Sequence, residues 1–387
     1  MKSKVHRSDR PVRWHRSATV LLAVAASVGA AACGSTSVSS SGTTADTAAS
    51  SSAGVAQATA AAQRYEQLPA TFGITTPTAK PIPSGKRIVY IYCGVPQCQV
   101  HSDGIKRAAA VLGWQFTEIP SQGTPASVKS AWDTAVRMHP DAVIGAGFNI
   151  PAYASELKQL KSMGTYVANI GTTDPGPTGG VDMRIAGPDE IAGVGTELAA
   201  WVVSQTKGKA DTLYVNVPAF EILKPAQATF TAAYHRWCPG CQLSTLDLPI
   251  TAVGTTSVQT VVSYLRAHPS INFVVFNPEG GVDNGLPAAL RAAGLSNVKF
   301  AGNAGSVTNL SYIQSGEETA TINEAYYEGM AALVDGAARY VTHQSLAPDI
   351  AYRFPLWITD KANLQSTTGF PPVVPNLYAQ LSKLWNK

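Results

Sequence analysis

From Arg87 onward the chain alternates two patterns. A short run of β-branched and apolar residues comes first, then a polar or glycine-bearing turn, then a longer segment whose apolar residues fall three to four apart. The short runs predict strands over Arg87–Tyr92, Gln115–Ile119, Ala142–Ala146, Tyr166–Ile170, Leu213–Val217, Gln242–Leu248, Phe273–Phe276 and Val298–Ala301. The longer segments predict helices over Asp103–Leu112, Ala126–Met138, Ala152–Met163, Asp189–Thr206, Lys224–Trp237, Ser257–His268 and Val282–Ala293. In Ser257–His268, for example, Val258, Val261, Val262 and Leu265 share one helical face. Strands alternating with helices predict an α/β fold of right-handed βαβ units, with parallel sheets flanked by helices. Ligands bind such sheets beyond the carboxyl ends of the strands. The loops of interest are therefore Cys93–His101, Gly147–Pro151, Gly171–Gly180, Pro218–Lys224, Asn277–Val282 and Gly302–Ser306.

Upstream the pattern is different. Lys2, Lys4, Arg7, Arg10, Arg13 and Arg16 precede an uncharged stretch, Ser17–Ala32, which ends in small residues before Cys33. A basic start, a short apolar centre and small residues at a cut form a secretory signal. The stretch is shorter than the roughly 20 residues that span a bilayer. With a cysteine just past the cut, residues 1–33 resemble a bacterial lipoprotein signal, which implies lipidation at Cys33 and an extracytoplasmic location at the membrane. Residues 34–55 are Ser, Thr, Ala and Gly with almost no large apolar side chain. Such a tract cannot bury enough surface to offset chain entropy. We therefore expect a disordered tether over residues 34–80, with a short helix possible at Ala56–Leu68.

Removing the signal and tract leaves about 300 residues, enough for two domains. The chain's net charge is +4, but the signal carries six Lys/Arg and one Asp, so the remainder is near 4 − 5 = −1. Nothing in that balance points to a nucleic-acid partner. Besides Cys33, the cysteines form two close pairs, Cys93 with Cys98 and Cys238 with Cys241. An oxidising compartment favours two local disulfides.

The order of segments from Arg87 to about Thr359 resembles the type I periplasmic binding proteins, the ribose-binding-like receptors of ABC transporters. The matching pieces are DGIKRAAAVLGW (103–114), HPDAVI (139–144), GTYVANI (164–170), AGPDEIAGVGTELAAWV (186–202), the long stretch 268–295, IQSGEETATI (313–322) and FPLWITDKANL (354–364). The resemblance implies two lobes around a ligand cleft, joined by three crossovers near Ile185–Asp189, Asn323–Glu324 and Ile350–Arg353. Residues 86–186 and 325–351 then form the first lobe, and 187–324 with 352–387 the second. Hinge closure around the ligand is the expected motion.

Family cleft positions carry over to Gln97 and Cys98, where sugar binders have stacking aromatics, and to Thr172, where they often carry part of an Asp-Arg pair. They also fall on Lys224, on Asn277 or Glu279, on Asn303 and on Glu324. Pro96 matches the family loop, but much of the sugar-chelating set is missing. Phe148, Asn149 and Phe220 lie on the same loops, and Tyr153, Tyr326 and Tyr327 are further candidates for apolar walls. The implied ligand is a carbohydrate or another small polar or aromatic solute.

Rival chemistries are poorly supported. WCPGC (Trp237–Cys241) follows a helix, whereas a redox CxxC sits at a helix start, where the dipole lowers a thiol pKa. A four-cysteine zinc site needs the two pairs together, and the implied fold puts them in different lobes. No GxSxG, HExxH or P-loop motif occurs. The seven histidines are scattered, and His101, His235 and His268 read as surface or capping residues. The expectation is a monomeric lipoprotein, not an enzyme and without cofactor, that delivers a solute to an ABC permease. A ligand sensor for a membrane signalling partner and a secreted thiol oxidoreductase are the alternatives.

Overall fold

The computed structural model describes residues 42–94 and 98–387; the signal, Cys33 and Gln97 lie outside the described residues. Two sheets organise the compact unit Thr44–Lys387. The first contains β1 (Arg87–Ile91), β2 (Gln115–Ile119), β3 (Ala142–Ala146), β4 (Tyr166–Ile170) and β5 (Met183–Ile185) in the order β2-β1-β3-β4-β5, all parallel. The second contains β6 (Asp211–Asn216), β7 (Gln242–Asp247), β8 (Phe273–Asn277), β9 (Lys299–Asn303), β10 (Thr321–Glu324) and β11 (Leu356–Thr359) in the order β11-β10-β9-β8-β6-β7. Its pairings are parallel except β10 with β11. The α/β class is thus as the sequence pattern implied, and the two sheets match the two lobes that the resemblance implied.

The central strands β3 and β8 read AVIGA and FVVFN and are buried throughout. Such unbroken apolar runs belong to strands covered by helices on both faces. β7, at a sheet edge, is exposed at Gln242, Thr245 and Asp247 and half-buried at its other positions. β5, β10 and β11, only three or four residues long, do not stand out as strands in the sequence, because the alternation signal needs more length.

The chain passes between the sheets after β5, after β10 and before β11. Glu190 ties the first and third passages together. Its carboxylate accepts from Gly187 N at 2.9 Å and from Phe354 N at 2.7 Å.

Two segments differ from expectation. Where a tether with a short helix at Ala56–Leu68 is expected, the chain forms a longer helix, Gly42–Arg64, that overlaps it. Ala58 and Ala62 of that helix are buried, and a β-carbon at Gly54 would stand 2.1 Å from Trp237 O. Its small residues therefore allow close helix packing, so low hydrophobicity here marks a tight docking seam. From Tyr65 the chain continues as an extended strap beside the crossovers. Tyr65 O accepts from Ile358 N in the second sheet, and Phe72 packs on Tyr352. Further along, Thr76 O accepts from Arg339, and Thr78 N donates to Leu384 O at 2.9 Å.

The C-terminal tail also departs from the sequence assignment to the second lobe. Helix Leu377–Leu384 packs on helix Cys98–Leu112 of the first lobe, and Trp385 Nε1 donates to Asp335 Oδ1 at 2.6 Å. The reason is its apolar face, Leu377, Leu381 and Leu384, all buried.

Candidate functional site

Cys93, Ala146, Gly147, Ile170, Gly171, Ala186, Pro278, Asn303, Ala304 and Glu324 all stand at or just beyond strand carboxyl ends, and all line one cavity. The cavity encloses about 640 Å³ including its open mouth. Phe220, Ile222 and Leu223, from the loop after β6, add an apolar wall. Cys98, His101, Ile191 and Tyr326 complete the lining. This volume suits a small organic molecule.

The lobes touch across the mouth. Phe148 of the first lobe lies 6.1 Å from the Phe220 ring of the second, at a 48° tilt. Asn149 Nδ2 donates to Glu221 Oε2 at 2.8 Å. Gly147 has φ +81°, and a β-carbon there would come within 3.3 Å of Cys93 and 3.4 Å of Phe220. Glycine therefore meets both the backbone and the packing requirement where the lobes meet.

The expected site residues divide into three groups. Cys98, Phe220, Asn303 and Glu324 line the cavity. Phe148 and Asn149 stand at its rim and bridge the lobes. Thr172, Lys224, Asn277 and Glu279 do not line it. The Lys224 side chain is 66% exposed and lies 3.7 Å from Glu221, a solvated rim pair. Thr172 is buried beside Asp174. Asn277 is buried behind its neighbour Pro278 and donates to Leu223 O at 3.3 Å. Glu279 is turned inward, where Thr321 Oγ1 donates to its Oε2 at 2.6 Å. Tyr153 is not a cleft wall either; it stacks on Trp132 at 3.7 Å in the first lobe's core. Tyr327 is buried but does not line the cavity, its OH donating to Asp103 at 2.6 Å.

His101 corrects another expectation. It is neither a surface nor a capping residue but is buried in the cavity wall, with Nδ1 3.4 Å from Tyr90 OH. Burial holds its pKa down at about 4, so it is neutral at pH 7. Its Nε2 has no protein partner among the described residues. Asn303 Oδ1 is likewise unpartnered. Glu324 is 7% exposed, and burial, reinforced by Glu190, raises its carboxyl pKa to about 8.

The structure joins Cys93 to Cys98 at the cavity and Cys238 to Cys241 at the turn between helix Leu223–Trp237 and β7. Among the described residues no cluster of His, Cys, Asp or Glu could hold a metal ion. No helix among them is long and apolar enough to cross a membrane.

Residues 96–345 match the family model described as a periplasmic binding protein domain. The chain belongs to this family. Membership of the type I periplasmic binding proteins implies an extracytoplasmic location and a solute-binding role in ABC transport. No curated protein matches the chain. Solved structures share the fold. The 5-methylthioribose transporter solute-binding protein of Thermotoga lettingae is 18% identical, with a TM-score of 0.66 over 81% of this chain and 99% of its own. A glucose-galactose binding protein of Geobacillus stearothermophilus is 16% identical, with a TM-score of 0.63 over 73% of this chain and 100% of its own. A carbohydrate transporter protein of Acidothermus cellulolyticus, in complex with myo-inositol, is 20% identical, with a TM-score of 0.62 over 72% of this chain and 96% of its own.

Proposed function

We propose that this periplasmic binding protein captures one small solute in the cavity between its lobes and hands it to an ABC permease, while a lipid on Cys33 holds it at the membrane. The supporting observation is the convergence of strand carboxyl ends from both sheets on one cavity with unpartnered polar groups. Ligand binding on one lobe favours closure only through differential contacts with the other. Phe220, Asn303 and Glu324 on the second sheet's side, with Cys98 and His101 on the first's, supply contacts of both kinds. The solved structures of similar fold hold 5-methylthioribose and myo-inositol, both rich in hydroxyl groups. The apolar wall here favours a cargo with less hydroxyl surface. Cys33 follows a basic, then apolar, then small-residue run, which supports lipidation after export.

Purification without added solute, followed by denaturation and mass spectrometry, tests the cargo reading. A single released compound that restores thermal stabilisation to the stripped protein is the expected result. Absence of any bound or stabilising small molecule would refute it. Cys33→Ser is expected to shift the protein from the membrane fraction to the soluble one; unchanged partitioning would refute the anchor. Loss of solute uptake on deletion separates delivery from sensing.

A further inference from the structure

The cavity's charge balance narrows its cargo. Among the described lining residues there is no Lys or Arg, and the only titratable groups are His101, Glu324 and Tyr326. His101 is neutral. Lys224, the cation that sequence comparison placed here, is at the solvated rim. Glu324 is nine-tenths buried, lines the cavity, and accepts no hydrogen bond from any described residue. Its acidic neighbours make a positive partner more welcome. Glu190 and Glu197, both on helix Pro188–Gln205, act on the Glu324 region, and both Glu197 oxygens are buried without a partner among the described residues. The remaining lining is mostly apolar and includes the rings of Phe220 and Tyr326. Helices beginning at Cys98, Leu223 and Tyr326 start at the cavity and favour negative charge, but each contributes only about half a unit charge. Those positive ends favour the ionised form of Glu324, whose carboxylate is the only full charge that the described lining residues can supply.

We propose that the cleft takes a small organic cation, an amine carried on an apolar or aromatic body, with its charge against Glu324 and its body against Phe220 and Tyr326. This rests on the reading of the cavity as the cargo site. An aromatic face adds to the attraction of a desolvated cation. Binding requires the ionised carboxylate, whereas burial keeps Glu324 largely protonated at pH 7 in the empty cleft. Uptake of the cation therefore releases a proton below about pH 8, and affinity rises with pH up to that value.

The experiment uses full-length protein stripped of bound solute and three matched probes: phenethylamine, phenethyl alcohol and phenylacetate, with ribose and glucose alongside. Calorimetry in buffers of differing ionisation enthalpy reads proton release. The expected result is binding of the amine only, about tenfold tighter at pH 7 than at pH 6. Glu324→Gln should weaken it at least tenfold and abolish the proton release, with its unfolding transition retained. Tyr326→Leu should weaken the amine several-fold without changing the proton count. Tighter binding of the alcohol, the carboxylate or a sugar, or a pH-independent amine affinity, overturns the cation and leaves the solute-receptor reading standing. Failure of all five probes overturns the cation as stated, and if the purified protein also releases no compound, the receptor reading falls with it.

Discussion

Glu324 and the group Glu279, Asp283 and Glu318 are all buried acids in the second lobe, and burial raises the pKa of each. Their surroundings differ. In the group, Asn309 Nδ2 donates to Asp283 at 2.7 Å and to Glu318 at 3.1 Å, while the Glu279 and Glu318 carboxyls lie against each other. There is no spare room: a β-carbon on Gly302 would stand 2.4 Å from Glu279 Cγ, and one on Gly305 would stand 2.7 Å from its Oε2. Glu324 has open space and no donor among the described residues. An acid that is packed and shares protons holds two loops in place, whereas one that is packed on its flanks and empty in front is available to a ligand. The difference shows that burial and a raised pKa do not mark a binding residue by themselves; free volume in front of the group does.

The largest expected break in this contrast comes from truncation. Glu279→Ala should lose about 2–4 kcal/mol of stability, because it opens a cavity and strands the Thr321 hydroxyl. Glu324→Ala should stay within about 1 kcal/mol, since no hydrogen bond with a described residue is lost. Urea melts of both variants decide it; equal losses would erase the distinction.

A second difference is visible in pH dependence. Acids with raised folded pKa values hold protons that the unfolded chain has already released, so stability falls as pH rises through the window. For Asp283 that window runs from 3.8 to about 7, and for Glu324 from 4.5 to about 8. Within it each group contributes up to about 1.4 kcal/mol per pH unit. The protein should therefore melt at higher urea at pH 5 than at pH 8. Replacing Glu279 and Glu318 together by Gln should flatten the profile, and an unaltered slope would show that the group is not protonated in the folded state.

The smallest expected effect lies at the rim. Lys224→Ala should change cargo affinity less than twofold, because the side chain is solvated and its ion pair exposed. Phe220→Ala, by contrast, should weaken binding at least fivefold when both variants are titrated by thermal shift. A strong Lys224 effect would return that residue to the cleft.

The sequence made the scaffold legible because long, fully apolar strands such as β3 and β8 and one-faced helices such as Ser257–Ala267 leave periodic traces. Cleft loops were legible by topology alone, since strand ends converge in such sheets. Side-chain direction was not. Asn277 and Glu279 flank Pro278 in the correct loop, but only the proline faces the cavity. His101 was misread because its burial depends on Tyr90, eleven residues earlier, and on Tyr326 from a distant helix. The helix Gly42–Arg64 begins well before the short helix expected at Ala56–Leu68, because its first turns are mostly Ser, Thr, Ala and Gly, residues with little hydrophobic signal.

That docked helix also sets a distance. A loose tether over residues 34–80 would have 47 residues and could extend to about 160 Å. With the helix beginning at Gly42, the chain between Cys33 and the helix spans 42 − 33 = 9 residues, about 30 Å at full stretch. The helical rise from Gly42 to the docked Gly54 adds about 18 Å. Anchored as proposed, the receptor patrols a shell only about 50 Å deep rather than sweeping a wide volume. Cargo capture and hand-over then take place within one protein diameter or so of the bilayer, where the next collision is with the membrane and its permeases rather than with the open medium.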